Sequence, residues 1–180
     1  MFYFDAKDLR RLLQTAYYRN RLHHLAMLTT LVHALRISEL RALTVDDLHD
    51  GRLYVKGAKD GLVQMAPLHK SSDPLFDETP LAIHAFGVRA AGQKQLFPLS
   101  RQRYDQVIRE YCAEAGVNPK KAHWHTLRHS SAMLVWSQSQ SLGAVKQALR
   151  HKSWSTSLIY LSEADNQKSV EAMSMALQAL

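Results

Sequence analysis

Residues 123–134 read HWHTLRHSSAML and place several basic side chains at the start of an otherwise apolar helical pattern. At helical spacing His125 and Arg128 are three residues apart and His125 and His129 are four apart, so the three side chains share one face. Burying two imidazoles and a guanidinium beside apolar residues such as Leu127 is costly unless an anionic group meets them. The pattern therefore indicates an anion-binding site.

Two other chemistries fit parts of the same segment. His125 and His129 have the i, i+4 spacing of metal ligands on a helix, but Thr126 stands where the metalloprotease motif has its glutamate. A serine nucleophile at Ser130 or Ser131 lacks the G-x-S-x-G turn that would expose it. We therefore predict no metal site, interpret His129 as a packed histidine and interpret both serines as helix residues.

The composition favours a polyanionic partner. The 180-residue chain has 23 lysines and arginines against 16 acidic residues, which gives a net charge of +7 and a pI near 9.6. This balance favours nucleic acid, although many basic proteins bind none. Cys112 is the one cysteine, which excludes an internal disulfide and fits a reducing, intracellular setting. No signal-peptide pattern or membrane-spanning apolar stretch is recognisable, so we expect a cytoplasmic protein and no membrane partner.

Hydrophobic periodicity predicts a mainly α fold with one small antiparallel β-sheet. Only RLYVKG and LVQMAPL, joined by the turn GAKDG, alternate like β-strands. Asp5 and Ser100 are suitable N-caps for the first and fifth helices, and Gly116 is a suitable stop. The predicted helices span about 6–18, 21–35, 38–43, 81–91, 101–115, 125–136, 142–149, 155–160 and 169–180.

Four separated stretches carry residues suited to phosphate chemistry. They are HALRISEL, VKGAKDG, HTLRH and LRHKSWSTSLIY, which supply Arg36, then Lys56 and Lys59, then His125 and Arg128, then His151 and Tyr160. In this order they resemble the boxes of the catalytic domain of the tyrosine recombinase, or phage integrase, family. The nine-residue step from His151 to Tyr160 matches the last box, and the resemblance covers nearly the whole chain.

The resemblance implies an enzyme that breaks and rejoins double-stranded DNA with neither a metal nor a nucleotide cofactor. In the family a tyrosine attacks a phosphodiester, forms a 3′-phosphotyrosyl bond and releases a 5′-hydroxyl, and a second strand reverses the step. Positioned arginines stabilise the negative charge on the phosphate oxygens, and the hairpin lysine is the candidate general acid. The catalytic set carried over is Arg36, Lys56, His125, Arg128, His151 and Tyr160, with Tyr160 as the nucleophile.

Several positions depart from the family pattern or keep two interpretations. Ala34 stands where the first box often has glycine, and Arg150 replaces the glycine before the last histidine. We expect Arg150 to fit an ordinary helical turn and to add a phosphate contact. Lys59 is either a backbone-phosphate contact or a solvated turn charge, and it can exchange roles with Lys56. The predicted DNA-binding residues are Arg36, Lys56, Lys59, Arg128 and Arg150.

We expect residues 1–180 to form a single catalytic domain. Only 35 residues precede Arg36, too few for the DNA-clamping domain of larger members, so the chain is either an excised fragment or a short recombinase of the fimbrial-switch type. The family further implies a nucleoid-associated homotetramer on DNA. Residues 167–180 carry an apolar stripe, which docks into a neighbouring protomer or folds back onto its own domain.

Two alternative functions use the same fold. One is a catalytically weak DNA-binding accessory protein, and the other is a type IB topoisomerase-like activity. If Tyr160 is not the nucleophile, Tyr54, Tyr104 and Tyr111 are the next candidates. Glu39 is expected to support the fold by pairing or capping near the arginine of the first box.

Overall fold

The computed structural model describes residues 2–56 and 63–151. Lys59, Tyr160 and the predicted helices 155–160 and 169–180 lie outside the described residues. The helices are α1 Ala6–Arg19, α2 Arg21–Val32, α3 Ile37–Ala42, α4 Pro80–Ala90, α5 Arg101–Glu114, α6 Trp124–Ser139 and α7 Leu142–Ala148. The strands are β1 Leu48–His49, β2 Arg52–Val55 and β3 Gln64–Pro67, and short 3-10 turns span Val45–Asp47 and Pro119–Lys121.

The helices form the core on which the candidate site rests. Helix α2 packs against α1 and α6, and α7 packs against α6. Asp5 caps α1 by accepting from the Asp8 N–H at 2.8 Å, and Ser100 caps α5, as predicted. Residues Leu12, Leu13, Met27, Leu28, Trp124 and Leu127 are fully buried between these helices. None of the helices within the described residues is long and apolar enough to cross a bilayer.

A small antiparallel sheet with strand order β1-β2-β3 lies beside the helices. Leu53 and Val55 alternate with more exposed neighbours and face the core, which confirms the predicted hairpin strands. Strand β1 was missed, because two residues are too short to show an alternating pattern. The mainly α fold with one small antiparallel sheet is confirmed.

Two turns near the site hold non-glycine residues in the left-handed region. Ala34 follows α2 with φ +48°, and Arg150 follows α7 with φ +53°. In both turns the next residue bonds back five positions, from the Leu35 N–H to the Thr30 carbonyl and from the His151 N–H to the Lys146 carbonyl, each at 3.0 Å.

These turns correct two predictions. Helix α2 ends at Val32 rather than at residue 35, and Arg150 does not occupy an ordinary helical turn. The left-handed conformation costs a non-glycine residue about 1–2 kcal/mol, so other contacts must hold both turns in place.

Candidate active site

The buried carboxylate of Glu39 is the centre of a cluster of arginines. Arg36 donates from its backbone N–H to Oε2 and from Nη1 to Oε1, both at 2.8 Å. Arg150 Nη2 donates to Oε2 at 2.7 Å, and Arg128 Nη1 lies 3.8 Å from the same oxygen. Burial alone would raise the pKa of Glu39, but the Arg36 N–H and the charge of Arg150 hold that pKa below its usual value. The expectation that Glu39 pairs and caps near Arg36 is confirmed.

Arg128 projects from α6 into the interior, where its side chain is only 2% exposed. Its Nη1 donates to the carbonyl of Ala34 and its Nη2 to the carbonyl of Leu149. Ala34 is the left-handed residue after α2, and Leu149 directly precedes the left-handed Arg150. The two unusual turns therefore fix the orientation of the Arg128 guanidinium.

Three histidines surround this cationic cluster and are uncharged at neutral pH. His125 and His129 contact each other edge to face, with ring centroids 4.4 Å apart. Desolvation and the charges of Arg128 and Arg36 lower the pKa of His151 to about 4. Desolvation and His125 lower the pKa of His129 to about 4, and the pKa of His125 is lowered by the same kinds of effect. A neutral imidazole donates from one ring nitrogen and accepts at the other, as the predicted roles require.

Lys56 is not part of the cluster in this structure. It follows β2, its side chain is 79% exposed, and its Nζ lies 3.2 Å from Oδ1 of Asp47. Burial would raise the pKa of Asp47, but hydrogen bonds from Thr44 and the contact with Lys56 lower it. Asp47 therefore stays ionised and forms an ion pair with Lys56.

Arg150 lies inside the protein, in contrast to its predicted place at the DNA. Its Nη1 donates to the His33 carbonyl at 2.8 Å and to Oε1 of Gln64 at 2.5 Å. Its Nη2 donates to the Ala34 carbonyl at 3.1 Å as well as to Glu39. A phosphate contact by Arg150 stays an untested prediction, and the burial of the side chain argues against it. The role of Gln64 was missed, because nothing in an alternating strand marks one polar residue as a hydrogen-bond partner.

The two serines of α6 have structural partners. Ser130 Oγ accepts from the Phe4 N–H at 2.8 Å and donates to the Thr126 carbonyl, and Ser131 Oγ donates to the Leu31 carbonyl. Both serines are therefore helix residues, as predicted. Within the described ranges, no three His, Cys, Asp or Glu side chains come together as a metal site would require.

Two of the three alternative tyrosines lie in the core. Tyr104 is 1% exposed, and burial raises its pKa well above the usual range. Tyr111 is buried, with its hydroxyl 2.8 Å from Nδ1 of His23, and burial raises its pKa too. Tyr54 is half-buried against His49. A buried phenol with a raised pKa is a poor nucleophile, so Tyr104 and Tyr111 are weak candidates.

Four of the six predicted catalytic residues thus meet at one place, in a helical domain that carries a small sheet beside them. Residues 3–167 match the model of the phage integrase family, and the chain belongs to that family. It is 37% identical over 139 residues to the tyrosine recombinase XerD of Xanthomonas axonopodis pv. citri strain 306, covering 70% of this chain and 46% of that protein. The chain therefore spans less than half the length of that relative.

Solved structures share the fold. A XerH site-specific recombinase bound to a palindromic difH substrate, in a post-cleavage complex, superposes with a TM-score of 0.72 at 22% identity. The match covers 96% of this chain and 52% of that one. A lambda integrase tetramer bound to a Holliday junction gives a TM-score of 0.61 at 23% identity, covering 87% of this chain and 46% of that one.

Proposed function

We propose that this chain is the catalytic domain of a site-specific DNA recombinase that cleaves and rejoins strands through a 3′-phosphotyrosyl intermediate. The observation that carries the proposal is the convergence of Arg36 and Arg128 on Glu39, with neutral His125 and His151 beside them. Residues from three separate family boxes meet there, which supports binding of a phosphodiester at this place.

Arg36 is the part of the cluster best placed to receive a phosphate. Its side chain is 37% exposed, and Glu39 holds it through Nη1. Among residues 2–56 and 63–151, Nε and Nη2 of Arg36 have no hydrogen-bond partner, so that edge of the guanidinium is available to two phosphate oxygens. Arg128, held by two backbone carbonyls, adds a fixed positive charge, which stabilises negative charge that develops during phosphoryl transfer.

The proposed reaction conserves the energy of the phosphodiester. The Tyr160 oxygen attacks phosphorus and its proton passes to His151, while the bond to the 5′ oxygen breaks and Lys56 donates a proton to that oxygen. A 5′-hydroxyl of a second strand then attacks the phosphotyrosine, and the proton transfers run in reverse. Neutral His125 donates a hydrogen bond to a non-bridging oxygen. Lys56 must first leave Asp47, from which it is 3.2 Å away in this structure.

The family match also supports a proposal about partners. The XerH and lambda integrase structures hold DNA, and the lambda structure is a tetramer. We therefore propose double-stranded, nucleoid DNA as the substrate and a homotetramer as the active assembly. Residues 167–180 are proposed to dock into a neighbouring protomer, with folding back onto the same domain as the alternative. The domain formed by this chain should bind DNA with steep salt dependence, at about −0.9 in the log-log slope per neutralised phosphate.

The test is capture of a covalent adduct on nicked suicide DNA. A nicked duplex pool of randomised sequence is incubated with the protein, adducts are isolated on a denaturing gel, and the enriched duplex is resynthesised as a defined substrate. The proposal expects a protein–DNA adduct through the 3′ phosphate. An accessory protein would shift the duplex without forming an adduct, and a topoisomerase-like enzyme would relax supercoils without joining two sites.

A further inference from the structure

We infer that Arg150 is a positioning residue, whose guanidinium joins Glu39, the turn after α2 and strand β3 and thereby fixes the two catalytic arginines. The inference deepens the proposed function and rests on it, because it assigns the clamp of Arg36 and Arg128 to catalysis. Arg150 occupies the place where the family pattern has glycine, a residue that has no side chain to make these contacts.

Arg150 shares its acceptors with both members of the clamp. Oε2 of Glu39 accepts from Arg150 Nη2 at 2.7 Å and from the Arg36 N–H at 2.8 Å. The carbonyl of Ala34 accepts from Arg150 Nη2 at 3.1 Å and also from Arg128. Removing the Arg150 side chain therefore takes one donor away from an acceptor of Arg36 and, at the same time, from an acceptor of Arg128.

Arg150 also ties the base of the hairpin to the clamp. Gln64, which accepts from Arg150 Nη1, pairs directly with Val55 in the β2–β3 register, and Lys56 is the next residue. The buried Arg150 side chain thus connects Gln64, at the strand end beside Lys56, with Glu39, which holds Arg36. Fixing these segments relative to one another is what in-line chemistry requires.

The backbone conformation of Arg150 also supports a positioning role for its side chain. Glycine adopts a φ of +53° without penalty, whereas arginine there is strained. Such strain persists where the surrounding contacts over-determine it, and Arg150 makes four hydrogen bonds from two nitrogens.

Three substitutions at Arg150 separate these effects. Arg150→Met keeps the strained backbone and most of the volume but removes the charge and the hydrogen bonds. Arg150→Gly relieves the strain and restores the family residue. Arg150→Lys keeps the charge but loses the forked geometry. Arg109→Met is the matched control, because Arg109 is an exposed arginine on α5.

The rate of adduct formation at saturating DNA is compared with the DNA Kd and its salt slope, using the defined nicked duplex. We expect the methionine and glycine variants to cleave about 10- to 100-fold more slowly, with the Kd and salt slope of the wild type. The lysine variant should be intermediate, and Arg109→Met should cleave like the wild type. A glycine variant with the wild-type rate would overturn the inference. So would a salt slope reduced by about 0.9, since it would make Arg150 a phosphate contact.

A second measurement does not depend on cleavage. The Nε–Hε NMR signals of arginine-labelled protein report the order of each guanidinium. If Arg150→Met does not fold, Arg150→Gly is measured in its place. We expect the Arg36 and Arg128 signals to shift and exchange faster with water in these variants, but not in Arg109→Met. Unchanged signals would overturn the inference whether or not the wild type forms an adduct. Failure of the wild type to form an adduct would refute the proposed function, and it would leave this NMR test of the inference intact.

Discussion

Arg128 donates a hydrogen bond from Nη1 to the backbone carbonyl of Ala34, 94 residues earlier in the chain. Ala34 lies two residues before Arg36, so the arginine of one family box is held by the backbone that presents the arginine of another. Glu39 completes this connection through its contacts with both arginines. The clamp is therefore a single connected unit.

Replacing Glu39 should destabilise the whole unit. Glu39→Gln keeps the shape but removes the negative charge from a side chain that is 1% exposed and contacts Arg36, Arg128 and Arg150. We expect a loss of about 3 kcal/mol in the free energy of unfolding, measured in urea, because buried cations lose their counter-charge. The control is Glu110→Gln, an exposed partner of Arg103 at 3.5 Å, which should change stability by less than about 1 kcal/mol. Equal effects of the two substitutions would contradict this account.

Tyr160→Phe should abolish the covalent adduct on nicked DNA while leaving DNA affinity nearly unchanged, because only the attacking oxygen is removed. Tyr111→Phe, which removes a buried hydroxyl bonded to His23, should still form the adduct. Trapping of DNA by the Tyr160 variant would refute the nucleophile assignment, and Tyr54 would be tested next.

Arg36→Ala and Arg128→Ala should each slow cleavage by about 10²- to 10⁴-fold, through loss of charge stabilisation in the transition state. Their effects on stability should differ. Arg36 is 37% exposed and its loss should be tolerated, whereas Arg128 is 2% exposed and its loss removes buried hydrogen bonds to the carbonyls of Ala34 and Leu149. Thermal unfolding distinguishes the two.

EDTA should not affect the rate, because the proposed charge stabilisation comes from arginine. Strong inhibition by EDTA that Mg²⁺ or Zn²⁺ reverses would count against the mechanism.

Acidification should destabilise the fold through His129 and His151. Desolvation lowers both pKa values from 6.5 to about 4, so between these pH values the unfolded chain binds more protons than the native one. The free energy of unfolding should therefore be highest above pH 6.5 and fall toward pH 4, each histidine contributing at most about 1.4 kcal/mol per pH unit. In His129→Gln/His151→Gln protein the pH dependence measured by urea unfolding should be shallower. An identical slope in the double variant would show that other groups cause the acid sensitivity.

Deleting residues 167–180 should leave a folded protein that binds one DNA site but does not assemble cooperatively. The deletion removes the apolar stripe that is proposed to dock into a neighbouring protomer. Sedimentation on two-site DNA measures the assembly, and circular dichroism measures the fold. Unfolding of the truncated monomer, together with a full chain that never associates on DNA, would assign the segment to its own core.

The sequence predicted those secondary-structure elements well whose signals, such as N-caps and hydrophobic periodicity, come from neighbouring residues. The Asp5 and Ser100 caps, helices α1 and α5 and the β2–β3 hairpin were all confirmed. The end of α2 was placed three residues too late because the apolar pattern continues through Leu35, which is buried beyond the turn. Such a turn is stabilised by contacts from elsewhere in the chain, and periodicity does not report them.

The sequence by itself determined which chemical groups are present and in what order, because residue type and spacing along the chain are local properties. It therefore predicted the family, the basic character and the candidate residues of the site. Only the tertiary structure decided that Arg36 and Arg128 share Glu39, that Lys56 rests on Asp47, and that Arg150 points inward. These facts depend on contacts between residues far apart in sequence. Whether a guanidinium points inward or outward depends on the buried space and the hydrogen-bond acceptors around it. Both form only when the helices and the hairpin pack together.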